Sequence, residues 1–183
     1  MLDWFILATF SANISFVVIP IGGSNKMSLD GKVVVVTGAA GGFGRVICSS
    51  FLEAGSKVIA IDVSTDALET LQSENAHFQK DNFVTKAIDI SNYKQCKTAI
   101  EESANYFSGI DILINNAANN YGPGSSSSET KLENFNEKIW DKDLEVGLKS
   151  AMLCTKIFGS QMNRQLDGGN IINISSDLGI ISP

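Results

Sequence analysis

The sequence predicts an α/β fold, a doubly wound parallel sheet with helices on both of its faces. Apolar, β-branched runs alternate with amphipathic helical patterns from Lys32 onward, an order typical of strands joined by right-handed helical crossovers. The first run, Val33–Val36, is apolar at every position, which indicates a strand buried on both faces. A glycine-rich segment follows this run directly. The length of 183 residues suits a single domain.

Each element is predicted from its own local pattern. Strands are expected at Lys32–Thr37, Lys57–Asp62, Phe83–Asp89, Ile110–Asn115 and Asn170–Ile174. Helices are expected from the glycine-rich segment to Gly55, and then at Thr65–Glu74, Asn92–Phe107 and Ile139–Arg164. The stretch Ala117–Lys138 contains Gly122-Pro123-Gly124 and four consecutive serines. It is therefore expected to be an irregular loop with a short helix at Leu132–Phe135.

The first 26 residues differ in composition from the rest of the chain. Trp4–Ile21 is mainly apolar but is interrupted by serine, threonine and asparagine, and its length is marginal for a membrane span. A signal peptide would begin with basic residues, whereas the only charged side chain ahead of the apolar stretch is that of Asp3. Both membrane interpretations therefore rank below a simple N-terminal extension at residues 1–26, ahead of the α/β domain at residues 27–183.

Composition disfavours several classes of function. The net charge of −6 argues against a nucleic-acid binder, which would need a basic face. The three cysteines, Cys48, Cys96 and Cys154, are far apart and form no C-x-x-C motif. Neither a disulfide scaffold nor a metal site is therefore expected, and a reducing, cytoplasmic location fits best. The single histidine, His77, lies in a polar stretch and is expected at the surface.

The segment Gly38–Gly44 has the composition of a phosphate-binding turn between a strand and a helix. A pyrophosphate at that point would meet the exposed amide groups and the positive end of the helix dipole. Gly38 would permit the tight turn, Gly42 the close approach of the phosphates, and Gly44 the packing of helix on strand. A flexible turn or a methyltransferase loop could use similar glycines. A P-loop is excluded, because Arg45-Val46 follows Gly44 where that motif needs lysine and serine or threonine.

Asp62 gives the glycine-rich segment a more specific meaning. It ends the second predicted strand, 18 positions after Gly44, near the distance expected for an acidic residue that binds an adenosine ribose. Its charge would repel a 2′-phosphate, and Val63–Ala67 contains no arginine or lysine to bind one. The pattern therefore predicts NAD as the cofactor in preference to NADP. The alternative is that Asp62 only caps the following helix.

Four motifs in this order resemble the short-chain dehydrogenase/reductase family. They are Thr37-Gly38-x-x-x-Gly42-x-Gly44, Asp89-Ile90, Asn115-Asn116-Ala117-Ala118 and Ile172-Asn173-Ile174-Ser175-Ser176. The third departs from the family pattern, because Ala118 replaces a glycine. The resemblance implies a Rossmann-type domain and a cofactor site formed by Gly38, Ala40, Gly42, Phe43, Gly44, Asp62, Asp89, Ile90 and Asn116. It also implies that Ser176 is the catalytic serine.

The resemblance implies an NAD-dependent oxidoreductase that acts on a hydroxyl or carbonyl group of a small molecule. In the family, serine acts with a tyrosine and a lysine that follow it in a Tyr-x-x-x-Lys motif. The sequence reaches Pro183 without that motif, so the chain is expected to be an N-terminal fragment, and a non-catalytic dinucleotide-binding protein is the alternative. Tyr93 and Lys97 have the same spacing but precede the serine, and they are expected to be exposed rather than catalytic. The complete protein is expected to be a homo-oligomer.

Two details suggest a branch within the family. Residues 115–119 and 175–179 read Asn-Asn-Ala-Ala-Asn and Ser-Ser-Asp-Leu-Gly, similar to members linked to flagellin modification and nonulosonate synthesis. This similarity suggests a sugar-derived substrate. Gly147 stands where family members usually carry an asparagine that orders a water of the proton relay. A glycine inside a helix costs about 1 kcal/mol relative to alanine. Gly147 would then serve close packing, or the proton relay would be built differently.

Overall fold

Five parallel strands form one sheet in the order β3-β2-β1-β4-β5, so the first strand of the chain lies at its centre. The computed structural model describes residues 29–78, 80–119 and 136–175. The strands are β1 (Val33–Thr37), β2 (Lys57–Asp62), β3 (Phe83–Ala87), β4 (Ile112–Asn115) and β5 (Asn170–Asn173). Val35 pairs with Ile59 on one side and with Leu113 on the other. The predicted doubly wound α/β fold is confirmed.

The helices follow the strands in alternation. They are α1 (Gly42–Glu53), α2 (Thr65–Glu74), α3 (Tyr93–Phe107), α4 (Glu137–Asp143) and α5 (Ser150–Met162). A short 3₁₀ turn at Lys80–Asn82 precedes β3, and a π-helical segment at Leu144–Lys149 joins α4 to α5. The long helix predicted at Ile139–Arg164 is thus a composite of three parts that begins two residues earlier and ends at Met162.

Side-chain caps explain two of the boundaries that the sequence pattern misplaced. The Asn136 side chain accepts a hydrogen bond from the Lys138 amide at 3.0 Å and starts α4 inside the predicted loop. The Asn92 side chain accepts bonds from the amides of Lys94 and Gln95. Asn92 is therefore the cap of α3 and not its first residue.

Four strands are also shorter than predicted: β1 and β5 by one residue each, and β3 and β4 by two. β3 ends at Ala87 instead of Asp89, because the Asp89 carboxylate accepts bonds from Ser91 and turns the chain out of the sheet. β4 begins at Ile112 instead of Ile110. The backbone of Ile110 pairs with the Gln165 side-chain amide, which accepts from the Ile110 amide at 2.9 Å and donates to its carbonyl at 2.8 Å.

Alternating side chains of the central strand, β1, pack into two separate hydrophobic cores, one on each face of the sheet. Val33 and Val35 face a cluster with α3 and α5, whereas Val34 and Val36 face a cluster with α1 and α2, and all four are at most 4% exposed. The three cysteines are free and buried within these cores. Cys48 lies in the second cluster, and the sulfurs of Cys96 and Cys154 approach to 3.6 Å between α3 and α5.

Side chains close the sheet at the amino ends of its strands. Asp111 accepts from the Val33 amide at 2.8 Å and from Lys32 Nζ at 2.7 Å. The hydroxyl of Ser56, a buried residue that precedes β2, donates to the carbonyl of Leu29. These bonds fix the end of the sheet opposite to the glycine-rich segment.

Several sequence predictions fall on residues outside the described ranges. They are the extension at residues 1–26, the domain start at Met27 and the short helix at Leu132–Phe135. Within the described part of the chain, no helix is both long enough and apolar enough to cross a membrane. The same residues contain no cluster of three or more histidine, cysteine, aspartate or glutamate side chains able to hold a metal ion. His77 is exposed, as predicted.

Candidate nucleotide-binding site

The winding of the chain reverses direction at β1. From β1 the chain moves outward through β2 and β3, and it then returns to the other side of β1 to add β4 and β5. In open α/β sheets, ligands bind at such a switch point, beyond the carboxyl ends of the strands. The glycine-rich segment lies there, between the end of β1 at Thr37 and the start of α1 at Gly42.

Gly38 and Gly44 are required by the packing of the protein itself. Gly38 has a φ of +62°, and a Cβ there would lie 2.7 Å from the Cα of Ala117. A Cβ at Gly44 would overlap the Gly38 carbonyl oxygen and lie 2.6 Å from the Cα of Ala39. The first glycine therefore allows β1 and β4 to approach, and the second allows α1 to pack on the loop.

Gly42 differs from both of these glycines. Among the described residues, no atom lies within 4 Å of a Cβ added at Gly42, and the residue is exposed. Its backbone does not have the positive φ that favours glycine. Neither strain nor packing in the described protein explains a glycine here, so the position has room for a ligand against its backbone.

The amino end of α1 is open to that space. Gly41, the N-cap residue, has extended backbone and no side chain to cap the helix. The first turn closes when the Arg45 amide donates to the Gly41 carbonyl at 3.0 Å. Gly42 and Gly44 come before Arg45 in the chain. Their amides therefore lie in the first turn of α1, where helix amides have no intrahelical acceptor. An anion placed here would also meet the positive end of the helix dipole.

The Asp62 carboxylate contacts the glycine-rich segment directly. One oxygen accepts from the Ala40 amide at 3.0 Å, and the other accepts from the Ser64 amide at 3.1 Å. Each carboxylate oxygen has a second lone pair, so this half-buried group retains capacity for two further donors. The cap of α2 is Ser64, whose hydroxyl accepts from the Ala67 amide. Asp62 is therefore free of the capping role.

Thr37 and Asn116 tie the ends of β1 and β4 together. The Asn116 side chain donates to the carbonyls of Thr37 at 3.0 Å and Gly38 at 3.1 Å. In return, Thr37 Oγ1 accepts from the amides of Asn116 and Ala117. Asn116 thus fixes the start of the glycine-rich segment from the neighbouring strand. Sequence reasoning assigned no role to Thr37, although a buried threonine at the end of a strand signals such a bond.

Asn115 joins the last two strands to α5. Its side-chain amide donates to Asn173 Oδ1 at 2.8 Å and to Thr155 Oγ1 at 3.1 Å. Asn115 is 6% exposed, and within the described ranges its own Oδ1 has no hydrogen-bond partner. The sequence pattern predicts a role for Asn116 and none for Asn115, because the partners of Asn115 lie more than 35 positions away in the chain.

The Asp89-Ile90 pair lies just beyond β3. Hydrogen bonds from the Ser91 hydroxyl at 2.7 Å and from the Ser91 amide at 2.9 Å lower the pKa of the Asp89 carboxyl. The carboxylate is therefore charged at neutral pH and is half-buried. Ile90 is 8% exposed and packs in the core with Ile88 and Cys96, so most of its side chain faces the protein.

The remaining predicted residues are placed in different ways. Phe43 is half-buried in the first turn of α1. Tyr93 is 47% exposed at the start of α3, and Lys97 pairs with Glu101 on the same helix. Ser176 lies outside the described residues.

Gly147 lies in the exposed π-helical segment. A Cβ at this position would meet nothing within 4 Å in the described part of the chain. Close packing against those residues therefore does not account for the glycine, and that expectation is not supported.

The sheet order, the switch point and the glycine-rich turn define a Rossmann-type α/β domain. The model of the short-chain dehydrogenase family matches residues 32–182 of this sequence. The chain therefore belongs to the short-chain dehydrogenase family.

Individual relatives agree with that assignment. The chain is 34% identical over 155 residues to an uncharacterised oxidoreductase of Schizosaccharomyces pombe, covering 82% of this chain and 52% of the relative. It is 30% identical to an NAD-dependent glycerol dehydrogenase of Listeria innocua, with 88% and 59% covered. It is equally similar, at 30%, to human 15-hydroxyprostaglandin dehydrogenase [NAD(+)], with 85% and 54% covered. The chain thus spans little more than half the length of these relatives.

Solved structures show the same fold. A short-chain dehydrogenase from Bacillus anthracis superposes with a TM-score of 0.76 at 25% identity, over 86% of this chain and 60% of that one. An NAD⁺-bound xylitol dehydrogenase superposes with a TM-score of 0.74 at 23% identity, over 86% and 57% of the two chains.

Proposed function

We propose that this chain forms the cofactor-binding part of an NAD(H)-dependent oxidoreductase that interconverts a hydroxyl and a carbonyl group. One observation carries the proposal. The Asp62 carboxylate lies against the glycine-rich segment, bonded to the Ala40 amide, while Gly42 and the open end of α1 stand beside it. Acceptors for a ribose and donors for a pyrophosphate therefore occur together at the switch point of the sheet.

The residues present fit a dinucleotide. The pyrophosphate would lie over Gly42, where the backbone is accessible, and would accept bonds from amides of the first turn of α1. The ribose hydroxyls would donate to the remaining lone pairs of Asp62. Asp89 and the backbone around Ile90 would border the adenine. When bound, the nicotinamide supplies a hydride acceptor for oxidation and, in its reduced form, a hydride donor for reduction.

Asp62 also favours NAD over NADP. A 2′-phosphate would bring negative charge against a carboxylate, and residues 63–67 offer no cation to offset it. Two of the relatives described above, from Listeria innocua and human, carry NAD in their names.

The proposed reaction assigns Ser176 to the substrate oxygen, with a tyrosine as the acid or base and a lysine that lowers the pKa of its phenol. A free phenol has a pKa of about 10, so a nearby cation is needed for it to act near neutrality. Small alcohols and carbonyl compounds, including sugar-derived ones, are the proposed substrates. One relative with a sugar-related name is 2-dehydro-3-deoxy-D-gluconate 5-dehydrogenase of Dickeya dadantii, at 30% identity.

We also propose that the complete protein is a cytoplasmic homo-oligomer. Four large apolar side chains are exposed at four-residue intervals along α4, the π-helical segment and α5, namely Trp140, Leu144, Leu148 and Met152. Such a stripe on one helical face is suited to pack against another protein surface. The three free thiols suit a reducing compartment.

Fluorescence titration with reduced cofactors tests the nucleotide part of the proposal. NADH should bind at least about tenfold more tightly than NADPH, a difference of about 1.4 kcal/mol. Asp62→Asn keeps the shape of the side chain but removes its charge. This variant should bind NADH more weakly and should discriminate less between NADH and NADPH. Glu69→Gln, at an exposed carboxylate one turn into α2, is the matched control and should change neither affinity. Binding of S-adenosylmethionine without any binding of NADH would overturn the proposal in favour of a methyltransferase.

A further inference from the structure

Arg45 connects the glycine-rich segment to α2. Its Nε donates to the Ala40 carbonyl at 2.8 Å, its Nη1 pairs with the Glu74 carboxylate at 2.6 Å, and its Nη2 donates to the Ala67 carbonyl at 3.4 Å. The side chain is 28% exposed, so these bonds are partly shielded from water. In the sequence alone, Arg45 serves only to exclude a P-loop.

Hydrogen bonds on both sides fix the orientation of the Ala40 backbone. Its amide is bound by Asp62 and its carbonyl by Arg45, while its side chain is 7% exposed in the core. The two residues that follow are glycines, which restrain the backbone less than any other residue. The peptide between Ala40 and Gly41 is therefore held by Arg45 at its carbonyl and by the Gly38 carbonyl, which accepts from the Gly41 amide at 3.2 Å. Asp62 holds the preceding peptide, between Ala39 and Ala40.

Arg45 binds two consecutive carbonyls of the segment. Its side chain binds the carbonyl of Ala40, and its amide binds the carbonyl of Gly41 at 3.0 Å. Both carbonyl oxygens are thereby engaged by the helix. If the peptide rotated, a carbonyl dipole would turn its negative end toward the space beside Gly42, where an anion would be repelled.

We propose that Arg45 is a positioning residue for the pyrophosphate of the cofactor. It acts through the backbone of Ala40 and Gly41, not by touching the phosphates, because its guanidinium is already occupied by two carbonyls and by Glu74. The inference rests on the proposed function, since it concerns the same nucleotide site. It adds a residue of α1 to the determinants of cofactor affinity.

The planar guanidinium suits this role better than an ammonium group does. A lysine at position 45 would keep the charge but offers a single ammonium in place of donors spread along a fork, so it could not reach Ala40 and Glu74 with the same geometry. Glu74, by contrast, has a side chain that is 52% exposed, and its ion pair contributes little by itself. Loss of the Ala40 bond, rather than loss of the ion pair, should therefore reduce cofactor affinity.

The test measures three ligands on the wild type and on Arg45→Gln, Arg45→Lys and Glu74→Gln. Binding of NADH is followed by fluorescence, and ADP-ribose and adenosine are measured as competitors of NADH. Arg45→Gln should lower the affinities for NADH and ADP-ribose by about tenfold and should leave the affinity for adenosine within about twofold of the wild-type value. Arg45→Lys should give an intermediate loss of about threefold, and Glu74→Gln should stay within about twofold of the wild type.

Each alternative has a distinct outcome. Equal weakening of all three ligands by Arg45→Gln would show general damage to the fold and would overturn the positioning role. A loss in Glu74→Gln as large as that in Arg45→Gln would assign the effect to the ion pair and would also overturn it. If Arg45→Gln does not fold, Arg45→Lys decides, because unchanged NADH affinity in that variant contradicts the need for the guanidinium. A wild type that binds no NADH would defeat the proposed function itself, which the Arg45 variants cannot do.

Discussion

The two ends of the sheet are built on different principles. At the amino ends, side chains satisfy the backbone: Asp111 binds the Val33 amide, and Gln165 binds both polar groups of Ile110. At the carboxyl end of β1, side chains hold the loop from behind, through Asp62 and Arg45, and leave the backbone at Gly42 uncovered. One end is closed for stability, whereas the other keeps a surface accessible to a ligand.

The helix starts show the same contrast within the carboxyl end. The amino ends of α2, α3 and α4 are capped by the side chains of Ser64, Asn92 and Asn136. The amino end of α1 begins at Gly41 and has no side-chain cap. A cap contributes about 1 kcal/mol to helix stability. Its omission at α1 is consistent with a helix end whose amides serve a ligand.

Gly44→Ala should produce the largest effect, because it affects both stability and binding. The added Cβ would lie 2.6 Å from the Cα of Ala39, a contact with backbone that cannot move aside. We expect a loss of about 3 kcal/mol in the free energy of unfolding, measured by urea denaturation, together with loss of NADH binding.

Gly159→Ala is the matched control for Gly44→Ala. Gly159 is also a helical glycine, but its Cβ would lie at an ordinary 3.5 Å from the Ile171 side chain. Stability should change by less than about 1 kcal/mol and NADH affinity should not change. A Gly44→Ala variant as stable as this control would contradict the packing role of Gly44.

Asp111→Ala should affect stability alone. It removes the acceptor of the Val33 amide, which is buried, and the partner of Lys32. Leaving a buried amide unpaired costs about 2 kcal/mol, so the unfolding free energy should fall by that amount while the NADH dissociation constant stays the same. Glu69→Ala, at an exposed position of α2, is the control and should change neither quantity. Weakened NADH binding in Asp111→Ala would contradict the view that the amino ends of the strands contribute to stability and not to cofactor binding.

The sequence predicted what depends on local patterns. The continuous apolar run Val33–Val36 and the spacing from Gly44 to Asp62 were sufficient to place β1, the loop and the end of β2, because each depends on nearby residues. The bond from Asn116 to Thr37 joins residues 79 positions apart, and no local pattern reveals it. The π-helical segment at Leu144–Lys149 likewise interrupts a pattern that predicts one continuous helix.

Arg45 illustrates the same limit within the site. Its position in the sequence is typical of an exposed helical arginine, whereas its role depends on where Ala67 and Glu74 of α2 come to lie. Only the folded chain brings those acceptors together. The residues that could be predicted thus belong to local patterns, whereas Thr37, Arg45 and Asn115, which were missed, make contacts with distant parts of the chain.

Gly42→Ala should affect binding alone and so mirrors Asp111→Ala at the opposite end of the sheet. Because nothing in the described protein lies within 4 Å of the added Cβ, the free energy of unfolding should stay within about 0.5 kcal/mol of the wild type or rise slightly. The methyl group would occupy the space above the amides of α1, and NADH affinity should fall about tenfold. Wild-type affinity in this variant would show that the open space at Gly42 is not where the cofactor approaches.

The smallest expected effects are pH dependences of opposite sign at the two ends. Bonds from Ser91 lower the pKa of Asp89 below its ordinary value of 3.8, so its stabilising contribution is present at neutral pH and is lost as the pH falls through the lowered pKa. The bond to Asp111 raises the pKa of Lys32 above its ordinary 10.5. That contribution is complete below this value and is lost as the pH rises through the raised pKa.

Thermal melts of Asp89→Asn and Lys32→Met against the wild type would separate these two contributions. The difference in melting temperature for Asp89→Asn should be constant at neutral pH and shrink below a pH of about 4, and the difference for Lys32→Met should shrink only in strongly alkaline solution. The Lys32 side chain is exposed, so added salt should reduce its contribution. The half-buried Asp89 depends on hydrogen bonds from Ser91, and salt should affect its contribution less. A difference in melting temperature between Asp89→Asn and the wild type that grows on acidification would mean that folding disfavours the charged form of Asp89. The end of the sheet that carries the proposed cofactor site would then hold an unfavourable charge. Its contrast with the opposite end, where the polar groups are paired, would be greater than the contacts imply.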